Sequence, residues 1–198
     1  MSSTAAAPVR TLRTGTVLAD LLPSSRVRDV ALVVGGAALT GLAAQISLPV
    51  PGSPVPVSGQ TFAALLVGTA LGARRGFLSL ALYAVVGMAG VPWFAQGSSG
   101  YAMPSFGYIL GMLLAATVVG ALARRGADRS VLRTAGTMVL GSAIIYAVGV
   151  PYLALATGMS LGQAVAAGLT PFLIGDALKA ALAMGALPAA WKLAGRKG

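Results

Sequence analysis

The sequence predicts an all-α integral membrane protein, a bundle of six transmembrane helices with both termini on the cytoplasmic side. Three observations carry that expectation. Of 198 residues, 57% are hydrophobic and 9% charged, whereas a soluble domain carries about 25% charged residues; a water-facing surface of this size could not be covered. Apolar runs long enough to cross a bilayer recur along the chain. The basic residues fall between alternate runs, as positive-inside topology requires.

Residues 1–28 are polar and basic, with Arg10, Arg13, Arg26 and Arg28, and read as a largely unstructured cytoplasmic arm ahead of a membrane domain at 29–198. Residues 30–48 are the first span. A signal-peptide core with cleavage near Gly41-Leu42-Ala43 is the alternative, disfavoured because the following runs are equally apolar. Residues 49–56 alternate Pro with small residues and cannot be helical, since proline lacks the amide donor and clashes with the preceding turn. Residues 57–73 and 76–91 read as spans two and three, separated by Arg74-Arg75. An uncharged Gly/Ser-rich loop at 92–104 leads into span four, 105–123, which Arg124-Arg125 closes. A basic loop reaches Arg133. Residues 134–157 are span five, and 158–170 form at best a short amphipathic piece. Pro171 suits a first helical turn, opening span six at 171–192.

Every basic residue except Lys179 falls before span one, between two and three, between four and five, or at or beyond the end of six. The loops after spans one, three and five carry none. An odd number of spans would break this alternation. The net charge of +10 therefore reflects topology rather than nucleic-acid binding.

Asp176 and Lys179 are the two charges without a topological role. Three residues apart, they share a helical face, and a charge inside a span costs about 2.5–3.5 kcal/mol on insertion scales. They read as a polar ligand site facing the bundle interior, suited to a ligand with N–H donors at one point and a carbonyl or anion at another; a self-neutralising pair that pins helix packing is the alternative. Gln60 and Thr61 flank the proline segment, as does Gln45, in ligand or interhelical roles. Trp93, Phe94, Tyr101 and Tyr108 cluster about the second outer loop, with Tyr152 similar, as an interfacial belt or a ligand wall. Ala31, Gly35, Ala37 and Gly41 give span one small residues at four-residue spacing, for internal packing or for docking another membrane protein.

The chain has no Cys or His, so disulfides and thiolate or imidazole metal sites are excluded. It has no Glu, no P-loop for ATP and no hydrolase or metalloprotease signature. No catalytic residue, metal site or cofactor is expected, and a membrane enzyme is disfavoured.

Residues 43–61, containing the Pro49-Val50-Pro51-Gly52-Ser53-Pro54-Val55-Pro56 run, closely resemble the first-loop signature of the BioY family, the biotin-binding S components of energy-coupling-factor vitamin transporters. Further segments follow in register: 71–76, 87–95, Pro104-Ser105-Phe106-Gly107-Tyr108, Gly149-Val150-Pro151-Tyr152-Leu153, and Gly175-Asp176-Ala177-Leu178-Lys179. The resemblance covers about residues 30–190. Ser105-Phe106 replaces the family's usual Thr-Gly, and the loop at 96–101 is shorter and less Gly-rich.

The resemblance implies a six-helix fold of a bacterial cytoplasmic membrane with an outward-facing biotin site. It implies that Asp176 accepts ureido N–H groups and that Lys179 binds the carbonyl or carboxylate. Phe94, Tyr108 and Tyr152 would hold the ring, near Gln60 and Thr61. Pro49, Pro51, Gly52, Ser53 and Pro54 would form a lid. The partners implied are a transmembrane coupling protein with two ATPase subunits, docked partly on Ala37 and Gly41, or a second copy of the chain. An S component for another vitamin and a stand-alone carrier of a small organic anion are the competing readings.

Overall fold

The computed structural model of the chain describes residues 15–195; Arg10, Arg13, Arg196, Lys197 and the first half of the expected arm lie outside them. The described residues form seven α-helices, three 3-10 turns and one small β-hairpin: α1 (Arg26–Gln45), β1 (Ser47–Leu48), β2 (Val57–Ser58), α2 (Gln60–Leu71), α3 (Ala73–Met88), α4 (Phe106–Arg124), α5 (Val131–Thr157), α6 (Leu161–Gly168) and α7 (Leu173–Gly195). Four stretches are long and apolar enough to cross a membrane: α1, α4, α5 and the run from Leu161 to Ala194 through α6 and α7. Helix α2 is apolar but shorter.

Local chemistry sets the boundaries. The Ser25 side chain accepts the Arg28 N–H, Ser130 accepts that of Arg133, and Ser160 with Gln163 forms a reciprocal capping box. Each satisfies donors that a helix start leaves open. Helix α1 therefore begins at Arg26, inside the expected arm. Residues preceding it are also held: Val17 and Ala19 are buried, and Asp20 pairs with Arg75 at 2.8 Å.

Helix α2 begins at Gln60 rather than 57, because Val57 and Ser58 pair antiparallel with Leu48 and Ser47. The proline segment is thus the loop of a hairpin, the one β element among the described residues. Its turn is fixed by the Ser53 amide on the Val50 carbonyl and by mutual bonds between Ser53 Oγ and the Val55 backbone.

Helices α2 and α3 turn back on each other at Gly72, whose φ of +84° suits glycine alone among ordinary residues. Close packing follows: a Cβ on Gly68 would lie 2.5 Å from the Ala116 carbonyl oxygen. Helix α4 is the central member, packed on α2, α3 and α5, with Met112, Ala115, Ala116, Val119 and Ala123 fully buried. Small residues bring the backbones close, which sustains dispersion contacts where water supplies no drive. The outer surface is strongly apolar, with Leu155 86% and Ile174 78% exposed, as suits lipid rather than water.

Basic segments converge at one end of the bundle. Arg75 bridges Asp20 and Asp29, Arg28 binds Asp29 at 2.6 Å, and Arg124 donates to the Gly15 carbonyl. There the α7 end is tied to the α4–α5 loop by Trp191 Nε1, which donates to Asp128 at 2.8 Å, with the Arg129 guanidinium 4.5 Å over the indole. The hairpin and α6 lie at the other end.

Candidate functional site

Asp176 and Lys179 lie in the first turns of α7, away from the basic end. Their side chains retain 16% and 20% exposure and face a small cavity under the hairpin. Its lining comes from Val55, Pro56 and Ser58 of the hairpin, Gln60 and Thr61 of α2, Tyr108 of α4, Tyr146 of α5, and Phe172, Asp176 and Lys179. Four separate chain segments therefore supply it.

Asp176, Lys179, Thr61 and Tyr146 form one connected network, with Gln60 and Tyr108 bonded separately beside it. Lys179 Nζ lies 3.2 Å from Asp176 Oδ1 and donates to Thr61 Oγ1 at 2.8 Å. The Tyr146 hydroxyl donates to Asp176 Oδ2. Gln60 is buried, and its Oε1 accepts from the Tyr83 hydroxyl at 2.8 Å. The Tyr108 hydroxyl donates to the Gly168 carbonyl at 2.7 Å, which turns the flat ring toward the cavity, edge-on to Tyr146 at 6.3 Å. The fully buried Tyr83 stacks against Trp93 and Phe94. That packing orients the bond to Gln60.

This arrangement offers carboxylate oxygens, an ammonium, the hydroxyls of Ser58, Thr61 and Tyr146 and an amide against an apolar wall of Val55, Pro56, Phe172 and the Tyr108 ring. The free cavity is only about 20 Å³, room for about one water, whereas small-molecule sites span roughly 300–1,000 Å³. A ligand of vitamin size therefore does not fit the cavity as it stands. On the far side of Tyr146 and Asp176, an apolar cleft of about 640 Å³ opens sideways between α5, α6 and α7. Its walls, such as Met138, Val150 and Leu173, offer almost no polar partner.

Of the residues singled out from the sequence, the fold gathers Asp176, Lys179, Gln60, Thr61 and Tyr108. Phe94 does not line the cavity; it is packed inside against Tyr83 and Gly87, one layer behind Gln60. Tyr152 is also outside, packed on Gly107 and Phe106 with its hydroxyl on the Tyr101 carbonyl. Among the expected lid residues, Gly52 lies against α6 beside Gln163, while Val55 and Pro56, just after them, cover the cavity. Ala37 and Gly41 do not form an exposed docking face. Ala37 is 1% exposed, and Gly41 abuts Trp93, because this stripe of α1 faces inward. Ala31 and Gly35 are on its exposed side. Gln45 donates to the Trp93 carbonyl, which ties α1 to the loop after α3 rather than to another helix.

Tyr146, Phe172 and Ser58 escaped the sequence reading. A hydroxyl within the apolar run of span five was the available signal for Tyr146, since a buried hydroxyl without a partner is costly. Nothing local marked the other two.

The family model of the BioY family matches residues 14–196. A protein of Pyrococcus horikoshii named "Probable biotin transporter BioY" is 36% identical over 162 residues, 80% of this chain and 93% of that one. "Biotin transporter BioY2" of Lactococcus lactis is 31% identical, covering 81% and 88%. The crystal structure of the S-component for biotin from an ECF-type ABC transporter superposes with a TM-score of 0.76 at 20% identity, covering 86% of this chain and 95% of that one, so the fold is shared. A match running almost from end to end, on a chain whose Asp176, Lys179 and Thr61 come together from segments that carry the resemblance, means that this chain belongs to the BioY family.

Proposed function

We propose that the chain is the substrate-binding membrane subunit for biotin uptake, which captures biotin in an outward-facing site and delivers it inward with an ATP-driven coupling module. It is a transport subunit and not an enzyme. Its partners on this reading are the energy-coupling-factor transmembrane coupling protein and ATPase subunits. It resides in the bacterial cytoplasmic membrane, crossing six times with both termini inside and the basic N-terminal segment on the cytoplasmic face. Convergence of the described basic segments at one end of the bundle supports this topology, with α2 and α3 as the two short crossings.

The single observation that carries the reading is the Asp176–Lys179–Thr61–Tyr146 network beneath the proline hairpin. Biotin presents a ureido ring with two N–H donors and a carbonyl, an apolar thiophane, and a carboxylate on a chain. Asp176 accepts ureido N–H groups, a charge-assisted bond of roughly twice the ordinary strength. Lys179 donates to the carbonyl or carboxylate. Thr61 and Gln60 supply further polar contacts, and Tyr108, Phe172 and Val55 cover the thiophane. The network holds itself together by internal bonds when the roof is down, so ligand groups exchange for existing partners rather than filling unsatisfied ones. The hairpin lifts to admit biotin and then excludes water over it, which strengthens each polar contact.

Equilibrium binding of biotin to the detergent-purified, ligand-stripped protein, with riboflavin and thiamin as controls, tests this. Saturable binding of biotin alone is expected. Binding of a control vitamin instead would assign the site to another S component. No saturable binding by folded protein would overturn the reading and favour a carrier of another anion.

A further inference from the structure

A second cavity, of about 880 Å³, lies between α1 and α3 at the basic end, with nothing in common with the polar site. Its walls are apolar: Val30, Val33 and Val34 of α1 face Leu78, Leu82 and Val85 of α3. Its mouth carries Arg26, Arg74, Arg75 and Arg124 against one lining carboxylate, Asp29.

These charges are not equivalent. Asp29 is held by Arg28 and Arg75, and Arg124 lies 3.6 Å from Asp20. Among the described residues, Arg26 and Arg74 make no ion pair with a carboxylate, and both are exposed. The mouth thus has two guanidiniums to spare and an apolar interior.

The dimensions match one leaflet. Helix α3 rises about 16 Å from Arg74 to Val85 at 1.5 Å per residue, and half of a bilayer's hydrocarbon is about 15 Å. The groove opens on the lipid-facing side, where Val30, Val34 and Val85 are exposed. In a bilayer such a groove fills with acyl chain. The headgroup found at its mouth is then set by the arginines, since basic residues near a membrane surface attract anionic lipid.

We propose that the α1–α3 groove is a binding site for an anionic phospholipid, with the headgroup at Arg26 and Arg74 and an acyl chain between Val34 and Leu78. The site is independent of biotin binding.

The test is native mass spectrometry of the full chain released from nanodiscs of equal dioleoyl-phosphatidylglycerol and dioleoyl-phosphatidylcholine. The variants compared are R26Q/R74Q and the charge-matched control R125Q/R133Q, whose exposed arginines lie outside the groove. Wild type and control should retain phosphatidylglycerol over phosphatidylcholine by at least fivefold, and R26Q/R74Q by less than twofold. Equal retention of both lipids by wild type would overturn the proposal, as would equal losses in the two variants. So would a wild type without lipid preference whose R26Q/R74Q variant instead loses a co-purifying coupling subunit, which would make the groove a protein interface.

Discussion

Replacing Asp176 by Asn keeps the shape of the side chain and removes its charge, and this separates ligand recognition from helix packing. Asn can still accept from Tyr146, but it withdraws the ion-pair partner of Lys179, 3.2 Å away. For binding, the loss is a hydrogen bond to a charged acceptor, worth about 1.5–3 kcal/mol. Biotin affinity should therefore fall by about 10- to 150-fold, at about 1.4 kcal/mol per decade. For stability, breaking a fully buried pair costs about 3–5 kcal/mol. Here both side chains keep some exposure and Lys179 retains Thr61 at 2.8 Å, so about 1–2 kcal/mol is expected after that discount. Adding Lys179→Met removes the stranded ammonium. The double variant D176N/K179M should melt at or above D176N, because an apolar replacement for an ion pair is often neutral or stabilising, yet bind biotin no better. Isothermal titration and thermal melts in detergent read the two quantities separately. A double variant that binds biotin within twofold of wild type would refute the site, leaving the pair as a packing device.

Two further expectations concern the roof and the basic end. If Val55 and Pro56 must lift from a cavity of about 20 Å³ before biotin enters, stopped-flow fluorescence of Trp93, which packs on Tyr83 behind Gln60, should give a rate that saturates with biotin concentration; a rate linear to the highest concentrations would rule out opening as a preceding step. Asp128, in the α4–α5 loop, is fully buried, and burial holds its carboxyl above the ordinary 3.8 despite the Trp191 N–H and the Arg129 charge. Its folded form prefers the proton, so its contribution to stability is greatest below the ordinary value and falls as pH rises through the raised one. The melting point of D128N relative to wild type should therefore climb between pH 4 and pH 7.5, and a difference that stays constant or falls would contradict this.

Long apolar runs, charge placement and proline could be read directly from the residues. Lipid as solvent selects runs of sufficient length, so the helices of 105–123 and 134–157 were legible to within a few residues. The missing amide donors of residues 49–56 excluded helix there. Asp176 and Lys179 stood out because a charge within a span is costly enough to need a reason. Helix starts were less legible: Ser25 capping α1 was a local signal, but the pairing of Val57 with Leu48 is made across eight intervening residues, and it moved the start of α2 to Gln60. Which polar groups meet depends on packing between segments far apart in the chain. Tyr146 reaches Asp176 because α5 packs on α7, and Thr61 reaches Lys179 across 118 positions of chain. The aromatics show the same division. Tyr108, Phe94 and Tyr152 look alike in sequence, yet only Tyr108 faces the cavity, because Phe94 fills the space that Gly87 leaves and Tyr152 the space at Gly107. Small-residue spacing on α1 could not say which stripe faces inward, because in lipid both faces are apolar and the pattern that separates core from surface in water is lost.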